Sequence, residues 1–81
     1  MKNDNSKGRI AATEIYLSKD FKVTFTVEYD GIDTNLYSVN EYLPGSRSSI
    51  GKFSSPSMAE AYKKLGEIVS EKIRNGALFE N

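Results

Sequence analysis

Between Phe21 and Tyr29 apolar and polar residues alternate without a break: Phe21, Val23, Phe25, Val27 and Tyr29 against Lys22, Thr24, Thr26 and Glu28. A period of two sends one set to a buried face and the other to water, so the pattern predicts a half-buried β-strand. Its β-branched and aromatic residues suit a pleated surface packed on one side. A weaker strand precedes it over Ile10 to Leu17, with Ile15 and Leu17 expected inward and Glu14 and Tyr16 outward. The short Ser18-Lys19-Asp20 link makes the two an antiparallel hairpin.

Asp30-Gly31-Ile32-Asp33 is a turn signal, and a third strand follows over about Thr34 to Tyr42. Its phase stays open. Tyr37, Val39 and Leu43 face the core in one reading, leaving Leu36, Asn40 and Tyr42 outside; the reverse phase fits the pattern as well. Pro44-Gly45 ends the strand. Residues 44–55 are then rich in serine, with Arg47 and Lys52 as the charges, and read as a long connection. Ile50 and Phe53 mark either a short fourth strand or an anchor pinning this loop to the core.

The last pattern is helical. Met58, Ala61, Tyr62, Leu65, Ile68, Val69 and Ile73 recur at spacings of three and four and form one apolar stripe. Ser57-Met58-Ala59-Glu60 fits a capping box, with Ser55 before Pro56 as the competing start. Lys72 and Arg74 favour the negative end of the helix dipole, and Gly76 is a natural stop. Gly66 inside the helix costs about 1 kcal/mol against alanine. A close approach of helix to sheet is the expected reason for it. Leu78 and Phe79 are apolar for a tail, which suits folding back on the core or contact with a second subunit.

These elements predict an α+β fold: a three-stranded antiparallel β-meander, with room for a short fourth strand, packed on one C-terminal α-helix in the order β-β-β-α. The 81 residues divide into a disordered lead-in (1–8), one domain (9–76) and a tail (77–81). A domain of this size has a thin core and stability near the low end of roughly 5–15 kcal/mol. No apolar run approaches the ~20 residues of a membrane span. The polar start is not that of a secretory signal, and with no cysteine the expected location is the cytoplasm.

Composition narrows the chemistry. The chain has no histidine and no cysteine. That removes zinc sites of nitrogen and sulfur ligands, thiolate nucleophiles and histidine-based triads. Asp20, Asp30 and Asp33 do not have the spacing of a calcium loop and read as turn formers. Gly45 to Phe53 superficially suggests a phosphate loop. It has five residues between its glycines where four are needed, and Phe53 follows Lys52 where a hydroxyl is needed. No enzyme activity, cofactor or metal is expected.

The 11 basic and 11 acidic residues balance overall and also within 1–30, 31–56 and 57–81. A nucleic-acid binder usually shows a basic stripe, and none is visible here. Three strands followed by a helix, with the Asp30-Gly31 turn and the run from Gly51-Lys52-Phe53 to Ala61, resembles the arm-type DNA-binding domain of phage and transposon integrases. That resemblance implies a sheet entering the major groove, with Lys19, Lys22, Arg47 and Lys52 available to phosphates. Balanced charge departs from that family. Leu43-Pro44-Gly45, then Gly51, then Glu60-Ala61 resembles a HicB-type antitoxin domain over residues 21–69, although the spacing here is longer.

The leading expectation is a protein-interaction module, a small regulator or inhibitor of the kind common in phage and mobile elements. It would dock a protein partner through the open sheet face and loop 44–55. The residues expected at that surface are Tyr16, Lys22, Thr24, Thr26, Glu28, Tyr42, Arg47 and Lys52. A DNA-binding sheet module and a homodimer joined by edge strands or open faces are the alternatives.

Overall fold

The structure, a computed structural model, describes residues 7–75 and the backbone of 78–79. Four antiparallel strands, β1 (Lys7–Ser18), β2 (Phe21–Asp30), β3 (Leu36–Tyr42) and β4 (Ser49–Ser55), precede one helix, α1 (Met58–Arg74). A two-residue strand, β5 (Leu78–Phe79), follows it. The sheet order is β4-β3-β2-β1-β5, a meander whose final strand returns to pair with β1 at Ile15 and Tyr16. The fold is α+β in the order β-β-β-β-α, and the short fourth strand is a full partner of β3.

Each connection follows from local chemistry. Asp30 Oδ1 accepts the backbone N–H groups of Ile32 and Asp33, both at 2.9 Å, and Asn35 takes a left-handed φ of 57° that asparagine tolerates. Between β3 and β4 the Ser46 N–H donates to the Leu43 carbonyl at 3.1 Å, with Pro44 and then Gly45 at φ 75°. This is a type II turn, in which only the third position needs positive φ. Ser57 caps the helix: its Oγ accepts the Glu60 N–H at 3.2 Å, while the Ser57 N–H donates to Ser55 Oγ at 3.0 Å. Both serines thus serve the helix start, and Ser57 is the N-cap.

The core lies between α1 and one face of the sheet. Ile15, Val23, Phe25, Val27 and Val39 meet Ala61 and Leu65, with Tyr37, Phe53, Ile68 and Val69 at the margin. Full burial of each large side chain is worth about 1.5–3 kcal/mol. Register settles the phase of β3: Val27 faces Val39 and Tyr29 faces Tyr37, so Tyr37 and Val39 lie on the helix side and Tyr42 on the other.

Several expectations change. Residues 44–55 are not a long loop; residues 43–48 form the connection and the rest is β4. Ile50 and Phe53 are three apart, which should put them on opposite faces. A bulge at Gly51-Lys52 lets Val39 face Phe53 and Glu41 face Ile50, so both lie on the helix side. Leu17 is 38% exposed, because a register shift between Tyr16 and Ser18 takes it out of the ladder. Leu43 lies beyond the end of β3 and is exposed. Met58, Tyr62 and Ile73 are exposed as well, since α1 lies across β2, β3 and β4 and the outer flank of its stripe has no sheet beneath it. A Cβ added at Gly66 would meet nothing within 4 Å, so close approach to the sheet is not the reason for this glycine. Strand β1 begins at Lys7, inside the expected lead-in; residues 1–6, and Gly76 with most of the tail, lie outside the described residues.

Candidate interaction face

The face of the sheet turned away from α1 is a small polar lattice. The register aligns it in rows: Arg9, Glu28, Ser38 and Ser54; Ala12, Thr26, Asn40 and Gly51; Glu14, Thr24, Tyr42 and Ser49; and Tyr16 with Lys22. Of the expected residues, Tyr16, Lys22, Thr24, Thr26, Glu28 and Tyr42 therefore share this face. Tyr16, Lys22, Thr24, Glu28 and Tyr42 are half-buried, not fully open.

Two residues on this face are buried all the same, Thr26 at 0% and its cross-strand partner Asn40 at 9% exposed. Thr26 Oγ1 donates to Glu28 Oε2 at 2.7 Å, and the Tyr42 hydroxyl donates to the same carboxylate oxygen at 2.5 Å. Arg9 then lies over the Tyr42 ring, 4.9 Å from its centroid. Glu28 thus bonds Thr26 and Tyr42 at once, and Arg9 extends the chain of contacts over the Tyr42 ring. Asn40 Nδ2 donates to Ser38 Oγ at 2.9 Å in the adjoining part of the lattice, and Lys22 pairs with Glu14 at 3.1 Å. Among the described residues no buried side-chain polar atom lacks a hydrogen-bond partner.

Arg9 was not legible as a site residue. By alternation it shares the phase of Ala11, Thr13 and Ile15, which points to the helix side. A register shift between Arg9 and Ala11 pairs Arg9 with Glu28 and turns it to the other face. No local signal in the sequence marks that bulge.

The remaining two expected residues part company. Arg47 sits exposed in the turn between β3 and β4. Lys52 belongs to the opposite side of the sheet: its Nζ lies 2.9 Å from Glu41 Oε1, and it borders a cleft under the end of α1 with Phe25, Ile68 and Lys72. The bulge that places Phe53 on the core also carries Lys52 away from the uncovered face. Glu41 is only 7% exposed, a buried carboxylate that the alternating pattern gave no reason to notice.

Residues 43–46 lean against the lattice and close a hollow of about 230 Å³ with Arg9, Lys22, Thr24 and Tyr42. A second hollow of about 210 Å³ lies at the other end of the face, between Glu28, Asp30, Ser38 and Asn40. Both are shallow and polar, and their walls offer hydrogen-bond donors, acceptors and one stacked guanidinium. Among the described residues no helix is long and apolar enough to cross a membrane. No protein-family model, curated protein or solved structure matches the chain.

Proposed function

We propose that the chain is a non-enzymatic protein-interaction module, a small regulator or inhibitor that docks a protein partner through the sheet face opposite α1 and the adjoining turn at residues 43–48. One observation carries this reading: α1 covers a single face, and the other presents tyrosine, arginine and paired hydrogen-bonding groups held in place by their neighbours. Tyrosine and arginine are enriched where interfaces draw their energy, and side chains already ordered lose less entropy on binding. Acidic and basic groups alternate across the face, with Glu14 beside Lys22 and Glu28 beside Arg9. Such interleaving matches a mixed protein surface better than a phosphate backbone, which calls for a basic stripe. The absence of histidine and cysteine from the sequence favours a binding role over a catalytic one.

The test is capture from source lysate, with and without nuclease, using wild type, Thr24→Arg in the centre of the face, and Lys63→Glu on the helix side. Thermal melting first establishes that both variants fold. The expected result is one stoichiometric protein held by wild type and Lys63→Glu and lost by Thr24→Arg. Retention by Thr24→Arg, or recovery of nucleic acid that carries the bound protein away on nuclease treatment, overturns the proposal.

A further inference from the structure

The hollow between the lattice and the turn has a chemistry of its own. Glu28 is the cross-strand neighbour of Arg9, yet its Oε2 is occupied by the hydroxyls of Thr26 and Tyr42. Arg9 has no carboxylate within 4.0 Å among the described residues; its guanidinium lies instead on the Tyr42 ring, and the side chain is exposed. The Tyr42 hydroxyl bond to Glu28 holds that ring, so the platform under the guanidinium is set before any ligand arrives. A guanidinium held over an aromatic face by cation–π attraction keeps its fork of N–H donors for a partner.

We infer that this hollow anchors a single acidic side chain of the docked protein, its carboxylate received by Arg9. The inference rests on the interaction reading above and names the group recognised there. Charge sets the stoichiometry. Lys22 is held by Glu14 at 3.1 Å, and the other lining residues, Thr24, Tyr42, Leu43, Pro44, Gly45 and Ser46, are neutral. Among the described residues Arg9 is therefore the cation lining the hollow that has no carboxylate within 4.0 Å, and its fork suits one carboxylate. A chain of phosphates crossing the same face would run over Glu14 and Glu28 and be repelled. The volume, about 230 Å³, suits the end of an aspartate or glutamate side chain.

The experiment is an NMR titration of the whole chain with N-acetyl-glutamate N-methylamide, its glutamine counterpart, inorganic phosphate and an oligothymidine, followed by Arg9→Gln and Arg9→Lys. Expected is a saturable millimolar response centred on the Arg9 side-chain N–H, Tyr42 and Ser46 with the glutamate compound and none with glutamine. Arg9→Gln weakens it about tenfold, the loss of one charge-assisted hydrogen-bond pair. Arg9→Lys keeps the charge but not the fork and falls between. Shifts spread over Lys63 and Lys72, or indifference to Arg9→Gln, overturn the inference. An oligothymidine or phosphate response stronger than that of glutamate overturns the assignment to a protein side chain. Repeating the lysate capture separates the two proposals. Capture lost with Thr24→Arg but kept with Arg9→Gln removes the anchor and leaves the interaction module intact; capture lost with both supports the anchor.

Discussion

On the side of the sheet that α1 covers, Ile15, Val23, Phe25, Val27 and Val39 meet Ala61 and Leu65 and lose all contact with water or nearly all. On the other side only Thr26 and Asn40 are buried among the described residues, and Glu28 ties Thr26 to Tyr42, over whose ring Arg9 lies. The first face gains its free energy from apolar area removed from water, which is non-directional and tolerates imperfect angles. The second is organised by hydrogen bonds and stacking, which contribute little net stability but dictate where each side chain points. The contrast assigns folding mainly to one face; the proposed recognition rests on the other, because groups ordered without large burial remain within reach of a partner.

Substitutions on the two faces should separate these roles. The largest effect is expected from Phe25→Ala, which empties the centre of the covered face. A loss of about 3–5 kcal/mol approaches the whole stability of so small a domain, and urea unfolding should find little folded protein. If Phe25→Ala instead melts close to wild type, burial under α1 is not what holds the fold.

Lys52→Met sharpens the comparison, because Lys52 is a charged residue on the covered side. Its removal leaves the buried Glu41 carboxylate without its partner. The expected cost is about 1–2 kcal/mol, below that of a fully buried pair because Lys52 itself is partly solvated. Adding Glu41→Gln to Lys52→Met should recover part of the loss, and a double-mutant cycle measures how much.

On the uncovered face, Tyr42→Phe keeps the ring beneath Arg9 and removes the bond to Glu28. About 1 kcal/mol of destabilisation is expected in chemical denaturation, with a broader set of Arg9 side-chain positions by NMR. A loss as large as that of Phe25→Ala would erase the distinction between the faces. Gly66→Ala should act with the opposite sign. Nothing lies within 4 Å of the added Cβ, so helix propensity alone predicts a gain of about 0.5–1 kcal/mol and a higher urea midpoint. A loss there would mean that the added methyl meets the folded chain after all, contrary to the open space around Gly66.

Much of this arrangement was legible from local pattern. Alternation over Phe21 to Tyr29 identified the central strand and its buried face, with Phe21 at the strand's start exposed instead, and the three- and four-residue spacing from Met58 to Ile73 identified the helix. Asp30-Gly31, Pro44-Gly45 and Ser57 marked the turns and the helix start, since each acts through a neighbour two or three residues away. Lys22, Thr24, Thr26 and Glu28 share one face because they follow from that alternation, while register brings Tyr16 of β1 and Tyr42 of β3 onto it.

What the pattern concealed is the work of bulges and of width. One register shift turns Arg9 to the uncovered face, and another turns Lys52 away from it and brings Ile50 and Phe53 onto the same side. A bulge changes the parity of every residue beyond it, and where it falls depends on pairing with a neighbouring strand as well as on local cues such as Gly51. The serine-rich stretch became β4 because Val39 and Tyr37 offered it a ladder, although serine and glycine have little tendency to extend unaided. The exposed flank at Tyr62 and Ile73 follows from where α1 crosses the sheet. By itself the sequence determined the first three strands and the helix, their order and the two faces of β2, because those depend on neighbours along the chain. Only the tertiary structure decided which charges meet, with Arg9 on Tyr42 and Lys52 on Glu41, because those contacts depend on register between strands that are distant in sequence.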